Sequence, residues 1–286
     1  MIVVRELLAT PFKVNLKMHY PMTFQLLDNL ILLGLIFFIP SAPDPVLYFV
    51  IIYSVSNVPG FFLMFYFLYK KFGYRYKFSL TQATWILKES LPLFGFVILT
   101  TVFLQIDVVI LSYFKGNYDV GIYSAGVRLT MPLSIIPGAI VTTVFPILVK
   151  RLTDKANTEF ITNLVIKLLF FIAFILAAVF SFGSKEIVTI IFGQEYSSSA
   201  LSASILYWCQ IFLFFTHYSL NVLIADNRQH YNFLYSIVQV TANLIFAFLL
   251  IPNYSFVGAA IAKLIASFVS FVFILYALNK FGFTPS

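Results

Sequence analysis

Among 286 residues carrying eighteen basic and eleven acidic side chains, those able to do chemistry are the few set inside long apolar runs. Asp107, Arg128, Lys167 and Lys263 are the charged ones. A charge near the centre of a bilayer costs about 2.5–3.5 kcal/mol on insertion scales, so such residues face a cavity, a partner or the headgroups. Asp107 and Arg128 stand at matched depth on consecutive antiparallel helices, which predicts an ion pair between them. Arg128 alternatively meets a substrate phosphate or sugar, since its guanidinium offers bidentate donors, and is expected to turn toward a central cavity. Lys263 is shallow from the outer side and Lys167 from the cytoplasmic side; each either snorkels to the headgroups or faces a cavity.

Neutral amides form two stripes. Gln210, His217 and Asn221 share one helical face, and Asn232, Ser236, Gln239 and Asn243 share another. Such stripes either bond between helices or line a wet groove. Asp107, Arg128, Lys263, Gln239 and Asn243 make up the candidate substrate-binding set. Asp28 and Asn29 sit close to the cytoplasmic interface, where water is expected to reach them.

Catalytic and cofactor signatures are missing. No His-Glu-x-x-His, Cys-x-x-Cys, Gly-x-Ser-x-Gly or phosphate-loop pattern occurs, and there are three histidines and one cysteine, Cys209. The sequence therefore points away from an enzyme, with no catalytic residues, no metal ligands and no cofactor, and Cys209 reads as a small core hydrophobe.

The elements that must hold these residues follow from composition. With 61% hydrophobic and 10% charged residues, no polar shell could cover such a core in water. Long unbroken apolar runs select helices over a barrel. The class is all-α, a polytopic membrane protein with about eight transmembrane helices near 23–40, 46–69, 92–114, 120–149, 160–182, 200–225, 231–251 and 256–279. With the N-terminus inside, the inner segments hold thirteen basic residues and the outer ones only Lys115 and Lys185. The positive-inside rule then places both termini in the cytoplasm. The same rule and anionic headgroups explain the net charge of +7 without nucleic acid.

Three local features refine the helices. Residues 70–91 form a basic cytoplasmic linker in which Ser79-Leu80-Thr81-Gln82 is a capping box opening a short interfacial helix, with Trp85 at headgroup level. Pro59-Gly60 and Pro137-Gly138 predict kinks, because each proline removes a backbone donor. Gly258, Ala262, Ala266 and Ser270 recur every four residues as a ridge for close helix packing.

A weak internal repeat organises the chain. Phe38-Ile39-Pro40 with Lys71-Phe72-Gly73 matches Leu250-Ile251-Pro252 with Lys280-Phe281-Gly282, in the same orientation across the membrane. Two repeats about an axis along the membrane normal are a common transporter plan. The expected domains are 1–69, an N-terminal segment with the last two helices of a first lobe; 70–91, the linker; and 92–286, a six-helix second lobe. Four helices of the first lobe are expected to be missing before Met1.

Several stretches resemble the polysaccharide biosynthesis, or O-antigen, flippases of the multidrug/oligosaccharidyl-lipid/polysaccharide superfamily, over roughly 23–281. They are Trp85-Ile86-Leu87-Lys88-Glu89-Ser90-Leu91-Pro92-Leu93, Gln105-Ile106-Asp107, Val120-Gly121-Ile122-Tyr123-Ser124-Ala125, Phe145-Pro146, Phe192-Gly193-Gln194-Glu195-Tyr196 and Ile251-Pro252-Asn253-Tyr254-Ser255-Phe256-Val257-Gly258. The resemblance implies movement of lipid-linked oligosaccharide from the cytoplasmic to the outer leaflet of the cell membrane. Its implied partners are the lipid bilayer, a polyprenyl-pyrophosphate-linked glycan and glycan-assembly proteins. Two other readings stand beside it: an ion-coupled small-molecule antiporter of the same superfamily, which needs deep free carboxylates, and an inactive truncated remnant or membrane scaffold.

Overall fold

Apolar runs of twenty or more residues satisfy their backbone only by coiling, and the computed structural model is helical throughout its ordered elements. It describes residues 5, 8–12, 15, 17, 19–37, 44–72, 79–151 and 155–282. In chain order the helices are α1 (His19–Ile36), α2 (Pro45–Ser56), α3 (Val58–Phe72), α4 (Leu80–Lys115), α5 (Asn117–Thr130), α6 (Ile135–Arg151), α7 (Lys155–Phe182), α8 (Ser184–Phe192), α9 (Ser199–Ala225) and α10 (His230–Lys280), with short 3-10 turns at Met131–Ser134 and Gln194–Tyr196. Six runs among the described residues are long and apolar enough to cross a membrane. The last of them, 51 residues long, is two spans: Ser255 breaks the helix at φ 50°, ψ −132°. A Cβ built on Gly258 would meet the Leu250 carbonyl oxygen at 2.5 Å, whereas a continuous helix would separate those residues by about 12 Å. The chain therefore doubles back at Ser255. The expected eight helices all have helical counterparts, and the protein is an all-α multi-pass membrane protein.

The chain divides into two compact units, Met1–Leu80 and Thr81–Ser286. The expected linker boundary at 91 differs from this division: α4 runs unbroken from Leu80 through Pro92 to Lys115. At about 54 Å it is longer than a hydrocarbon core of about 30 Å, so one end projects beyond the apolar slab. It starts directly after Ser79, where the sequence places the capping box, but the short separate interfacial helix expected there is corrected, since the helix continues through Pro92. Half of the proposed repeat, residues 38–40 with Gly73, lies outside the described residues.

In the first unit, α2 and α3 are one span broken at Asn57. Pro59 forces the break, because its ring clashes with the carbonyl four residues earlier and it has no N–H. The exposed helix start of α3 is capped from a distance: the Gly60 amide donates to Asp28 Oδ1 at 2.8 Å, and Arg5 donates to Asp28 Oδ2. Asp28 is 2% exposed. The expectation of a water-facing interfacial Asp28 is corrected here, since a helix N-terminus and a guanidinium together replace its hydration. A Cβ on Gly60 would run into the Asp28 carboxylate. Gly60→Ala should therefore destabilise this unit by about 1–3 kcal/mol, seen as a lower midpoint in thermal unfolding of the purified protein. Unchanged stability would contradict the cap.

The second unit is organised around α9, which packs against α5, α6, α7, α8 and α10. It is the most enclosed span, with 56% of its apolar window buried against 17% for α4. The other expected kink shifts. Instead of bending at Pro137-Gly138, the span unwinds at Met131–Ser134, because Pro132 and Pro137 strip hydrogen-bond donors from the carbonyls of Arg128 and Leu133. On the small-residue ridge, Gly258, Ala262, Ala266 and Ser270 are all buried, as close packing requires. Leu250 backbone atoms crowd Gly258, so Gly258→Val should cost about 2 kcal/mol or more by overpacking, measurable as reduced heat resistance; a neutral result would rule out the tight hairpin.

Candidate functional site

Four helices of the second unit bring the buried charges together. Asp107 lies about 12 Å along α4 from its Lys115 end, and Lys263 lies about 12 Å beyond the Ser255 turn. Their side chains meet: Lys263 Nζ donates to Asp107 Oδ2 at 2.6 Å. Tyr123 OH of α5 donates to the same oxygen at 3.0 Å, and Asn243 Nδ2 of α10 donates to Oδ1 at 2.7 Å. Asp107 is 0% exposed and Lys263 6%. The lysine ammonium also lies 5.0 Å from the Phe103 ring centroid. Cys209 stands beside it, its Sγ 3.0 Å from Ser267 Oγ and 3.8 Å from the Lys263 carbonyl oxygen.

The expected Asp107–Arg128 pair does not form. Helix α5 begins at Asn117, three residues before the start expected from hydropathy, so Arg128 sits deeper than Asp107. From Tyr123, which does reach Asp107, five residues turn about 140° around the helix, so Arg128 points elsewhere. Lys263 takes its place, and the snorkelling alternative for Lys263 is corrected with it: a stem buried among four helices with a carboxylate at its tip has no reason to reach for water.

Arg128 instead lies on the wall of a cleft of about 510 Å³. It is exposed and makes no ion pair among the described residues. Gln105, Gln210, His217, Gln239 and Lys263 are among the cleft's other polar side chains, with Phe96, Leu104, Leu213 and Phe214 among the apolar ones. Of the five candidate residues, Arg128, Gln239 and Lys263 line the cleft, while Asp107 and Asn243 do not.

The amide stripes divide the same way. Asn232 donates to the Leu220 carbonyl at 3.1 Å and Asn243 to Asp107, which is interhelical bonding. Gln239 donates to Tyr235 OH at 2.9 Å and still lines the cleft, beside Gln210 and His217. Asn221 donates to the His217 carbonyl, one turn back. Lys167 is exposed and does not line this cleft. No cluster of three metal-ligating side chains occurs among the described residues.

Sequence reasoning missed Tyr123. The signal was present: Asp107 and Tyr123 lie nine and seven residues either side of Gly116, the turn residue at φ 82°, so they must come level on antiparallel helices. Arg5 as the partner of Asp28 had no such signal, because the two are joined by no shared turn.

The comparisons with known proteins agree with this architecture. The profile of the family described as polysaccharide biosynthesis protein matches residues 8–152, half of the chain. The capsular polysaccharide biosynthesis protein CapF of Staphylococcus aureus is 26% identical over 174 residues, 60% of this chain and 44% of that protein. An uncharacterized membrane protein of Methanocaldococcus jannaschii is 28% identical over 182 residues, 61% of this chain and 35% of that one. The chain thus spans less than half the length of these relatives. The solved structure of the lipid II flippase MurJ in an inward closed conformation superposes with a TM-score of 0.70 at 17% identity, covering 99% of this chain and 61% of that one; at this identity the likeness is one of fold. With the family profile and the fold in agreement, the chain belongs to the polysaccharide biosynthesis protein family.

Proposed function

We propose that this chain forms part of a flippase that carries lipid-linked oligosaccharide, or polysaccharide repeat units, from the cytoplasmic to the outer leaflet of the cell membrane. Both termini face the cytoplasm in this reading, following the thirteen-to-two distribution of basic residues. The family, the capsular relative and the flippase-like fold support it. The observation that carries it is the state of Arg128: an exposed guanidinium on a cleft wall, with no ion-pair partner among the described residues, inside a membrane-spanning unit. A cation there awaits an anionic ligand, and a guanidinium matches the oxygens of a pyrophosphate linkage two at a time. Gln105, Gln239 and His217 supply hydrogen bonds suited to sugar hydroxyls, and the apolar wall suits a polyprenyl stem.

A coupled antiporter would need a deep carboxylate free to take up a cation. Asp107 is occupied by Lys263 and Asp28 by Arg5, so this alternative loses its two sites. The reading is that of a transporter, which the polysaccharide biosynthesis family and the flippase-like fold support. Binding of a fluorescent polyprenyl-pyrophosphate oligosaccharide to the purified chain in nanodiscs tests the proposal. Saturable binding displaced by unlabelled polyprenyl pyrophosphate is expected; binding equal to that of an uncharged polyprenol would overturn it.

A further inference from the structure

A second groove lies between α7, α9 and the part of α10 after Ser255. Its volume is about 510 Å³, and no residue lines both it and the Arg128 cleft. We propose that it binds an anionic phospholipid, with one acyl chain in the groove and the phosphate on the Lys167 ammonium. This inference stands apart from the flipping reading.

The groove has a direction. Lys167 lies seven residues into the span that begins at Phe160, about 10 Å along the helix, near enough to that end for its long stem to carry the ammonium toward the headgroups. Phe170 and Phe174 follow at spacings of three and four residues, so they share its helical face and lead deeper. Phe215 and Phe271 meet edge to face across the groove, ring centroids 4.8 Å apart, with Phe215 buried as its floor. Leu275 lies one turn from Phe271 toward the Lys280 end of α10. Every lining residue other than Lys167 is apolar, and those on α7, from Ile166 to Phe174, span about 12 Å along the helix.

Those facts select the occupant. A void between helices forfeits dispersion contacts on its lining, and hydrocarbon fills it in a bilayer. Lys167 is exposed and makes no ion pair among the described residues. A cation at the headgroup end of a hydrocarbon-shaped slot complements a lipid that carries net negative charge. A zwitterionic lipid offers the same chain with no net attraction, and a protein helix would have to bring its own acid to that one point.

Trp208 reports on the site without any change to it, because its indole packs edge to face on Phe174 at 5.7 Å between centroids. With Trp85→Phe as background, the protein is placed in phosphatidylcholine nanodiscs containing either brominated phosphatidylglycerol or brominated phosphatidylcholine, and Trp208 fluorescence is read. Bromine on the phosphatidylglycerol chain should quench at least threefold more strongly at equal lipid fraction. Lys167→Ala should bring the two lipids to parity, Lys167→Arg should keep the preference, and Lys185→Ala, an exposed lysine elsewhere, should leave it unchanged. Equal quenching by both lipids in the background protein would overturn the proposal, whether or not any lysine variant folds. A preference that survives Lys167→Ala would overturn the role of the ammonium.

Discussion

Lys263→Met should lower the stability of the second unit by about 3–5 kcal/mol, because it leaves the Asp107 carboxylate buried without its counter-charge. For a chain of this size that corresponds to a fall of about 10 °C in melting temperature, with reduced yield from membranes. Asp107→Asn should show a loss of the same kind, now with the ammonium orphaned. Asp107→Asn combined with Lys263→Met should recover most of the loss, since Tyr123 and Asn243 can still bond the neutral amide and no charge is left behind. Arg128→Gln should change melting by less than about 0.5 kcal/mol, as for an exposed side chain without a partner. A large loss from Arg128→Gln, or rescue of Asp107→Asn by Arg128→Gln in place of Lys263→Met, would reverse the assignment of the pair.

The second large effect is on binding. Charge-assisted hydrogen bonds are worth about 1.5–3 kcal/mol, so Arg128→Gln should weaken polyprenyl-pyrophosphate binding by roughly 10- to 100-fold. Arg128→Lys keeps the charge but loses the paired donors, and should fall by less than about tenfold. Equilibrium titration in nanodiscs reads both. A glutamine variant that binds as tightly as the arginine would remove Arg128 from the site.

The helices were readable because hydrophobic length alone sets them: seven of the eight expected spans begin within about five residues of a helix start in the structure, and most of the basic residues fall between them. The candidate site was readable in part. Asp107, Lys263 and Asn243 were singled out by cost, since each is a polar group inside an apolar run, and they do come together. Their pairing was not readable, for a physical reason. Depth can be counted from helix ends, and Asp107, Arg128 and Lys263 all counted to similar depths; which faces of non-consecutive helices meet is decided by packing. A three-residue error in the start of α5 put Arg128 at the wrong depth, and the face it presents was set by packing. The Pro137-Gly138 kink failed similarly: a proline disturbs the turn before it, and here the second proline at 132 extended that disturbance over Met131–Ser134.

Burial also reversed the meaning of Asp28. Counted from the helix end it looked wet, yet the break ahead of Pro59 supplied a free amide at Gly60 and the N-terminal segment supplied Arg5. Neither is visible without the tertiary fold. Both buried carboxylates are thereby neutralised within their own units, Asp28 by Arg5 and Asp107 by Lys263, which leaves Arg128 as the charge the cleft offers to a ligand.

That division of labour is tested most directly by a leaflet-resolved transport assay. Vesicles from cells expressing the complete flippase of which this chain is proposed to form part are loaded with lipid-linked oligosaccharide on one face, and appearance of the glycan on the other face is followed with an impermeant lectin. Wild type and the Asp107→Asn/Lys263→Met double variant should both transfer the glycan, while Arg128→Gln, present at the wild-type level, should not. Normal transfer by Arg128→Gln would contradict the account.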